Sequence, residues 1–216
     1  NYLINSNINL LILYFKFCSM RNILIVGAGK SSPYLIKYLL DKSQEQNLYL
    51  NITDVTIDHL LHHKKNNRCT VSTINILDDK EREGYLLKND IVISMLPARL
   101  HMILAKSCLK LKKNLITASY VSDEMRGINT DVKDRNLIFL NEMGLDPGID
   151  HMSAKKVIDK LKENSCSIYS FKSYTGGLIA PESDNNSWNY KFTWNPRNVV
   201  LAGQGSPAKY LSLIHI

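Results

Sequence analysis

Residues 23–32 read ILIVGAGKSS, and this stretch decides the fold. Its first four residues are apolar and typical of a buried strand, and a glycine-containing turn follows at Gly27. Over residues 33–40 the apolar side chains recur at helical spacing, so a helix is predicted directly after the turn. The stretch therefore predicts a buried strand, a tight turn and a helix.

Short apolar runs and helical stretches keep alternating as far as residue 140. This alternation is typical of an α/β fold, in which helices cover both faces of a doubly wound parallel sheet. The predicted strands cover residues 23–26, 48–53, 69–76, 91–93, 114–118 and 137–140. The predicted helices cover residues 33–40, 57–65, 80–88, 99–112 and 149–162. After residue 147 the pattern changes: residues 168–174 alternate, and a polar, aromatic stretch indicates the incomplete start of a second α+β domain.

The turn after the first strand carries the signature of a dinucleotide site. Residues 27–32 fit G-x-G-x-x-S, one glycine short of the dinucleotide-binding fingerprint. The first glycine permits the tight turn, and the second lets the backbone approach a pyrophosphate that faces the helix N-terminus. Ser32 is small enough for close packing of helix on strand. The predicted cofactor-binding residues of the motif are Gly27, Gly29 and Ser31.

An acidic residue, Asp54, stands at the end of the second predicted strand. Its carboxylate can accept hydrogen bonds from a ribose 2′-hydroxyl and would repel a 2′-phosphate, which favours NAD over NADP. Alternatively, Asp54 caps the helix predicted to begin near Ile57, and Asp58 is a second candidate for that cap. The two roles of Asp54 are compatible.

The fourth and fifth predicted strands also end in candidate site residues. Ligands of open α/β sheets bind beyond the carboxyl ends of the strands, so both segments should line the nicotinamide half of the crevice. Tyr120 stands out, because a phenol there can donate a proton or hold a substrate carboxylate. The candidate residues at the two strand ends are Met95, Leu96, Pro97, Thr117, Ser119 and Tyr120.

Composition and charge describe a globular chain. The 216 residues include 27 Lys and Arg against 20 Asp and Glu, a formal net charge of +7, and 44% are hydrophobic. The positive charge is spread over helix ends instead of forming one face with stacking aromatics, so no nucleic-acid partner is expected. No run of about 18 uncharged apolar residues occurs, so no membrane-spanning helix is expected.

Cysteine and histidine usage indicates neither a metal site nor a disulfide framework. His62 and His63 lack nearby carboxylate or cysteine partners, so they are interpreted as a solvated helix end. The cysteines show no C-x-x-C motif and no paired spacing, which favours a reducing compartment such as the cytoplasm. They are Cys18, Cys69, Cys108 and Cys166.

Both ends of the chain differ from the rest. Residues 1–19 are rich in Asn, Ile, Leu, Tyr and Phe, start without Met, and precede the strand–turn–helix pattern that opens at Met20. We interpret them as a non-native leader; the alternative, a secretory signal, lacks a basic leading segment and an A-x-A cleavage site. Residues 211–216 read LSLIHI, which matches the translation of a common adapter sequence, so we interpret them as an adapter-derived tail.

The most specific motif is NEMGLDPGIDHM at residues 141–152. It resembles the NE-x-GLDPGIDH segment of the saccharopine dehydrogenase family, L-glutamate-forming branch. Three further collinear blocks agree: residues 91–101 (IVISMLPARLH), residues 117–122 (TASYVS), and the SY-x-GG and YKF-x-W motifs within residues 173–197.

The resemblance implies a Rossmann-like dinucleotide-binding domain over residues 20–147 and the truncated start of a substrate and dimerisation domain over residues 148–210. It implies NAD(P)-dependent interconversion of saccharopine with L-glutamate plus 2-aminoadipate 6-semialdehyde, in lysine metabolism, by a homodimer. The family's dinucleotide contacts would include Ala28, Lys30, Asn75, Ile76, Thr117, Leu145, Asp146 and Pro147. Its saccharopine contacts would fall on Ser119, Tyr120 and Asp146.

Three positions depart from the family pattern. Fungal members carry arginine where Asp54 aligns, which fits NADP there and leaves NAD or NADP open here. Thr175 replaces a cysteine of the SYCGG motif, so a thiol is not required at that position. Ile179 replaces one proline of the LPAPE motif.

Reduction of an imine needs a hydride donor, groups that orient carboxylates, and a proton for the new amine. Tyr120 and Asp146 are the candidate catalytic residues, and water is the alternative acid. Asp146 has a structural alternative, an Asx-turn or a cap for the helix that begins near Gly148. His151 is interpreted as a capping or packing residue.

Three other interpretations share part of this sequence evidence. Carboxynorspermidine and homospermidine synthases share the imine chemistry but should diverge in the SY-x-GG and YKF-x-W blocks. A non-catalytic dinucleotide-binding sensor would not need the substrate-side motifs. A third interpretation is that the 216-residue chain is inert while the complete gene product is the enzyme.

Overall fold

A parallel β-sheet organises the computed structural model, which describes residues 19–174, 179–191 and 200. Within these residues the sheet has six strands in the order β3-β2-β1-β4-β5-β6, all neighbours being parallel. This order runs outward from β1 in both directions, so the predicted doubly wound α/β fold is confirmed. The strands are β1 (Arg21–Val26), β2 (Leu48–Asp54), β3 (Cys69–Thr73), β4 (Ile91–Ser94), β5 (Asn114–Thr117) and β6 (Phe139–Leu140).

Helices connect the strands, and most begin and end close to their predicted positions. Two short helices, α4 and α5, were not predicted, and the segment predicted as a helix at residues 57–65 is a 3₁₀ helix. The described helices are α1 (Pro33–Lys42), α2 (Asp79–Leu87), α3 (Ala98–Lys110), α4 (Asp123–Gly127), α5 (Asn129–Asp134) and α6 (Ile149–Glu163), with 3₁₀ helices at Asp58–Lys65 and Pro181–Ser183.

Strand β3 is shorter than predicted, and its pairing explains why. Its last residue, Thr73, pairs with Asp54, the last residue of β2. Beyond that point there is no neighbouring strand to continue the ladder. The apolar residues Ile74 and Ile76, which suggested a longer strand, are instead buried in the core.

The core lies on both faces of the sheet. Successive residues of β1 alternate between the two faces, so Ile23 and Ile25 pack into one apolar cluster and Leu24 and Val26 into the other. Helix α1 packs on the first face through Ile36, and α2 and α3 pack on the second. Burial on both faces accounts for the nearly continuous apolar run of β1.

The chain divides into two compact units, the first ending at Ser167 and the second beginning at Ile168. Residues 168–174 lie in no helix or strand. In the second unit the amide of Asn186 donates to the Tyr190 carbonyl at 3.1 Å. The predicted leader at residues 1–19, Ser19 excepted, and the predicted tail at residues 211–216 lie outside the described residues. Among the helices that the structure describes, none is both long and apolar enough to cross a membrane.

Candidate functional site

The carboxyl ends of three neighbouring strands form one edge of the sheet. Val26, Ser94 and Thr117, the last residues of β1, β4 and β5, are paired in register. The strand order reverses between β1 and β4, since β2 lies on the other side of β1. Doubly wound sheets bind ligands in the crevice at such a point. The loops that follow β1, β4 and β5 therefore form the candidate site.

The glycine turn, residues 27–32, packs against the loop after β4. Gly27 has φ +91°, and a Cβ there would lie 2.9 Å from the Met95 carbonyl carbon and 3.1 Å from the Leu96 nitrogen. Only glycine fits this combination of conformation and contact. Two predicted cofactor segments, the turn and residues 95–97, are thus in direct contact.

The second glycine of the turn faces open space. No atom lies within 4 Å of an ideal Cβ on Gly29, so backbone there is accessible to a ligand. The Ser32 hydroxyl is buried and donates to the Gly27 carbonyl at 3.2 Å instead of capping α1. An open turn in front of an uncapped helix N-terminus fits a dinucleotide pyrophosphate. Lys30 and Ser31 are exposed beside it.

The N–H and the carbonyl of Ala28 are held by Asp54, at the end of β2, and by His59, on the following 3₁₀ helix. The Ala28 N–H donates to Asp54 Oδ2 at 2.5 Å, and the Ala28 carbonyl lies 2.8 Å from His59 Nε2, which can donate to it. Asp54 Oδ1 accepts from the Val55 N–H at 2.6 Å. Asp54 therefore fixes the glycine turn while staying at the strand end where a ribose would bind.

The predicted capping role of Asp54 or Asp58 is wrong. The 3₁₀ helix Asp58–Lys65 has Ile57 at its N-cap position and no side-chain cap bond. The Asp54 carboxylate accepts from the backbone N–H groups of Ala28 and Val55, neither of which belongs to this helix. His59 was not predicted as a site residue, because nothing in the local pattern places its ring against the glycine turn.

The loop after β3 presents Asn75 and buries Ile76. The Asn75 N–H donates to Glu81 Oε2 at 3.0 Å, and its side-chain oxygen accepts from the Leu77 N–H at 3.1 Å. The Ile76 side chain lies in the core, and its carbonyl accepts from buried Arg82 at 2.7 Å. An exposed Asn75 can reach a ligand, whereas the Ile76 side chain cannot.

Tyr120 and Asp146, the two candidate catalytic residues, lie together. The Tyr120 hydroxyl donates to Asp146 Oδ1 at 3.2 Å, and both side chains are exposed. Partial desolvation and then the hydrogen bond to Asp146 raise the pKa of Tyr120 above its ordinary value. The phenol therefore stays protonated at neutral pH and keeps a hydrogen available for donation.

The acidic loop, residues 141–150, is anchored to the loop after β5. The Glu142 N–H donates to the Ser119 carbonyl and the Met143 N–H to the Thr117 carbonyl, each at 3.0 Å. Glu142 Oε1 accepts from the Val121 N–H at 3.1 Å. These bonds hold Asp146 against the loop that carries Tyr120.

A tight turn inside the acidic loop projects Leu145 and Asp146 into solvent and buries Pro147. The Gly144 N–H donates to the Pro147 carbonyl, and the Ile149 N–H donates back to the Gly144 carbonyl, each at 2.9 Å. Gly148 has φ +148°, and a Cβ there would overlap the Gly144 backbone. The peptide bond between Asp146 and Pro147 is cis.

The structural alternatives for Asp146 and His151 do not hold. Helix α6 has Gly148 at its N-cap and no side-chain cap bond, so Asp146 does not cap it. The Gly148 N–H, which an Asx-turn of Asp146 would use, donates to Asp150 Oδ1 at 2.9 Å instead. His151 neither caps nor packs: its ring is exposed, and Nδ1 lies 2.7 Å from Asp150 Oδ1. That hydrogen bond raises the pKa of His151.

A buried hydrogen-bond chain behind the site was not predicted. His101, on the first turn of α3, lies 2.8 Å from Ser94 Oγ through Nδ1 and 2.8 Å from Ser119 Oγ through Nε2. Burial lowers the pKa of His101 to about 4. Thr117, a predicted cofactor contact, is buried beside these hydrogen bonds, and its carbonyl accepts from the Met143 N–H. The sequence signal was weak: a histidine spaced with the apolar residues of an amphipathic helix.

Part of the predicted substrate-side motifs lies outside the described residues, and the predicted histidine pair lies away from the candidate site. Thr175 and the GGL segment after it, and residues 192–197, lie outside them. Across the described ranges, no three His, Cys, Asp or Glu side chains are grouped to hold a metal ion. The rings of His62 and His63 contact each other at an angle of 43°, with centroids 3.8 Å apart.

Comparison with known families agrees with this geometry. Residues 23–140, more than half of the chain, match the family model of the saccharopine dehydrogenase NADP binding domain. The chain belongs to the saccharopine dehydrogenase family. Residues 144–215 match the model of the saccharopine dehydrogenase C-terminal domain. The resemblance predicted from the motif blocks is therefore confirmed.

Individual relatives of this family cover much of the chain. It is 44% identical over 146 residues to alpha-aminoadipic semialdehyde synthase of Arabidopsis thaliana, covering 66% of the chain and 14% of that protein. It is 33% identical over 190 residues to saccharopine dehydrogenase [NADP(+), L-glutamate-forming] of Saccharomyces cerevisiae, covering 88% of the chain and 42% of that protein. The chain thus spans less than half of the length of these relatives.

A solved structure supports the same fold. The apo saccharopine dehydrogenase (L-Glu forming) from Saccharomyces cerevisiae superposes with a TM-score of 0.72 at 32% identity. The match covers 84% of this chain and 40% of the yeast chain. The Rossmann-like architecture predicted for the first domain is that of the family.

Proposed function

We propose that this chain is part of an oxidoreductase that interconverts saccharopine with L-glutamate plus 2-aminoadipate 6-semialdehyde in lysine metabolism. The observation that carries the proposal is the Tyr120–Asp146 pair, with 3.2 Å between its oxygens. The pair lies in the loops beyond β5 and β6, on the same edge of the sheet as the glycine turn. Family membership supplies the substrate class, and the pair supplies groups suited to its chemistry.

The chain's own residues would divide the work between holding the cofactor and handling the amine. The glycine turn and the N-terminus of α1 would hold the pyrophosphate, and Asp54 the ribose. A bound nicotinamide dinucleotide supplies or accepts the hydride. Water then adds to the imine carbon in the direction of saccharopine cleavage, releasing the glutamate amine and the aldehyde.

Tyr120 and Asp146 would act on the nitrogen. When saccharopine forms, the carbon of the imine gains a hydride and its nitrogen gains a proton. The Tyr120 phenol, hydrogen-bonded to Asp146, would donate that proton. The Asp146 carboxylate favours the positively charged form of that nitrogen by Coulomb attraction. Its negative charge also helps to keep the phenol protonated between turnovers.

The cofactor preference follows from a single carboxylate. We propose that Asp54 favours NAD over NADP, because a 2′-phosphate at the end of β2 would meet its negative charge. The matched family model is that of an NADP binding domain, and the yeast relative is named for NADP(+). Affinities of the 216-residue chain for NADH and NADPH, measured side by side, decide between them.

The reaction is tested on the complete gene product, because the chain spans less than half of the length of its relatives. Incubation with saccharopine and either NAD⁺ or NADP⁺ should produce reduced nicotinamide and L-glutamate in equal amounts, followed by absorbance and by amino-acid analysis. If the protein turns over carboxynorspermidine or homospermidine and not saccharopine, the substrate is a polyamine and the saccharopine assignment is wrong. Dinucleotide binding without turnover of any of these substrates would support a sensor.

Domain organisation, assembly and compartment form a second part of the proposal. A boundary near residue 147 is supported by one family match that ends at residue 140 and another that begins at residue 144, whereas the compact units divide after Ser167. A homodimer follows from the family resemblance, and light scattering on the complete gene product tests it.

The free thiols of Cys69, Cys108 and Cys166 fit a reducing compartment such as the cytoplasm.

A further inference from the structure

The chain Ser94–His101–Ser119 connects the end of β4 to the loop that carries Tyr120. Ser94 is fully buried and His101 almost so, while Ser119 is half-buried and immediately precedes Tyr120. Both ring nitrogens of His101 are used, each at 2.8 Å from a serine hydroxyl oxygen. The His101 ring therefore fixes the orientation of the Ser119 hydroxyl relative to the end of β4.

Because the His101 imidazole is neutral, its two hydrogen bonds must run in the same direction along Ser94–His101–Ser119. Desolvation lowers the pKa of His101, and no charged group contributes to that shift. A neutral ring has one N–H donor and one acceptor nitrogen. Either Ser94 donates to Nδ1 and Nε2–H donates to Ser119, or both bonds run in the opposite sense.

The buried end of the chain selects between the two directions. The His101 nitrogen is the partner that the structure gives to the Ser94 hydroxyl. If Nδ1 carried the proton, the Ser94 hydrogen would need another acceptor in a fully buried position, and an unmade bond there is costly. The favoured arrangement has Ser94 donating to Nδ1 and His101 Nε2–H donating to Ser119.

In this arrangement the hydrogen of Ser119 is not used by His101, so it is free to point toward the site. We propose that His101 is a positioning residue that orients the Ser119 hydroxyl as a hydrogen-bond donor to a carboxylate of the substrate. This inference rests on the proposed function, since saccharopine and glutamate supply that carboxylate. A donor hydroxyl suits such a ligand, whereas the opposite tautomer would present an acceptor to a negative group.

The tautomer is tested first, because its measurement does not depend on turnover. Nitrogen NMR of the 216-residue chain labelled on histidine should show His101 protonated at Nε2 and unprotonated at Nδ1 at neutral pH. A proton on Nδ1, or a charged ring at neutral pH, would overturn the proposal whatever the enzyme does.

Kinetics of the complete gene product test the link to substrate. His101→Leu should raise KM for saccharopine about tenfold, with kcat and KM for the dinucleotide changed about twofold or less. His101→Gln, whose amide can still donate to Ser119, should recover most of the loss. His62→Leu, on an exposed histidine of the 3₁₀ helix, is the matched control and should change none of these constants.

A double mutant separates positioning from a general effect on folding. If His101 acts through Ser119, His101→Leu combined with Ser119→Ala should have the KM of Ser119→Ala alone. Additive effects, or an equal rise in KM for the dinucleotide, would instead assign His101 a structural role. Absence of saccharopine turnover by the unmodified protein would overturn the proposed function and the substrate assignment. The NMR measurement of the His101 tautomer would still test the orientation of Ser119 independently.

Discussion

The glycine turn and the acidic loop lie at the same edge of the sheet but are built differently. In the glycine turn the backbone of Gly29 is open to a ligand, while the residues before it are fixed: Ala28 is 1% exposed with its N–H and carbonyl both bonded, and Gly27 contacts Met95 directly. In the acidic loop the backbone bonds to itself and to the loop after β5, and the side chains of Leu145 and Asp146 face solvent. Tyr120, beside it, is 66% exposed.

This difference matches what each half has to recognise. A pyrophosphate is the same in every dinucleotide, so fixed backbone N–H groups can bind it. A substrate with several carboxylates and an amine needs side chains of different chemistry that can approach it. Substitutions in the glycine turn should therefore act through backbone geometry, and those around the acidic loop through functional groups.

Gly27→Ala should give the largest effect. Its Cβ would lie 2.9 Å from Met95 backbone at a φ of +91°, so neither residue can relax cheaply. We expect the free energy of unfolding to fall by about 2–4 kcal/mol, measured by urea denaturation.

Gly29→Ala is the matched control for that experiment. Its Cβ has no neighbour within 4 Å, so stability should change by less than about 1 kcal/mol. The added methyl occupies the space over the turn, so dinucleotide affinity should still fall about tenfold or more. Equal destabilisation by the two substitutions would contradict the close contact between Gly27 and Met95.

Tyr120→Phe should come next in size and act on chemistry instead of folding. If the phenol is the general acid, turnover of saccharopine by the complete gene product should fall about 10²-fold. Stability should hardly change, because the side chain is exposed. Tyr38→Phe, on an exposed tyrosine of α1, is the control. Unchanged turnover in Tyr120→Phe would show that Tyr120 is not the general acid and would favour water in that role.

The same difference explains what the sequence could predict. The glycine turn and the sheet could be predicted from local signals, namely an apolar run before G-x-G and apolar residues at helical spacing. These signals suffice because the apolar side chains of each strand and helix recur with the period of that element. The short helices Asp123–Gly127 and Asn129–Asp134 were missed because five or six residues cannot establish a period.

Contacts made by polar side chains were predictable only in part. The motif blocks brought Tyr120 and Asp146 to attention as a pair of candidates, and the structure places their oxygens 3.2 Å apart. The bonds of His101 to Ser94 and Ser119 join residues that only the register of β4 and β5 brings together. The His59 contact with Ala28 likewise depends on how the 3₁₀ helix folds back over the glycine turn.

Asp54→Asn should have a smaller effect, on the choice of dinucleotide. The amide oxygen can still accept from the Ala28 N–H, so the glycine turn is kept, but the negative charge is lost. Relative affinity should shift about tenfold toward NADPH, measured as the ratio of Kd values for NADH and NADPH. Asp54→Ala, which also removes the acceptor, should weaken both dinucleotides. A ratio unaffected by Asp54→Asn would leave the carboxylate with a structural role alone.

The smallest effect should come from Asp150→Asn, and it contrasts two histidines of one site. The Asp150 carboxylate raises the pKa of exposed His151, whereas burial without a counter-charge lowers that of His101 to about 4. A raised pKa means that the pair stabilises the fold below the ordinary histidine value of 6.5, and that this is lost as pH rises through the folded pKa. Asp150→Asn should therefore lower the pKa of His151 in an NMR titration and leave His101 neutral over the same pH range, because only the exposed ring depends on a charged partner. A fall in both pKa values would mean that the acidic loop and the buried chain are electrostatically coupled.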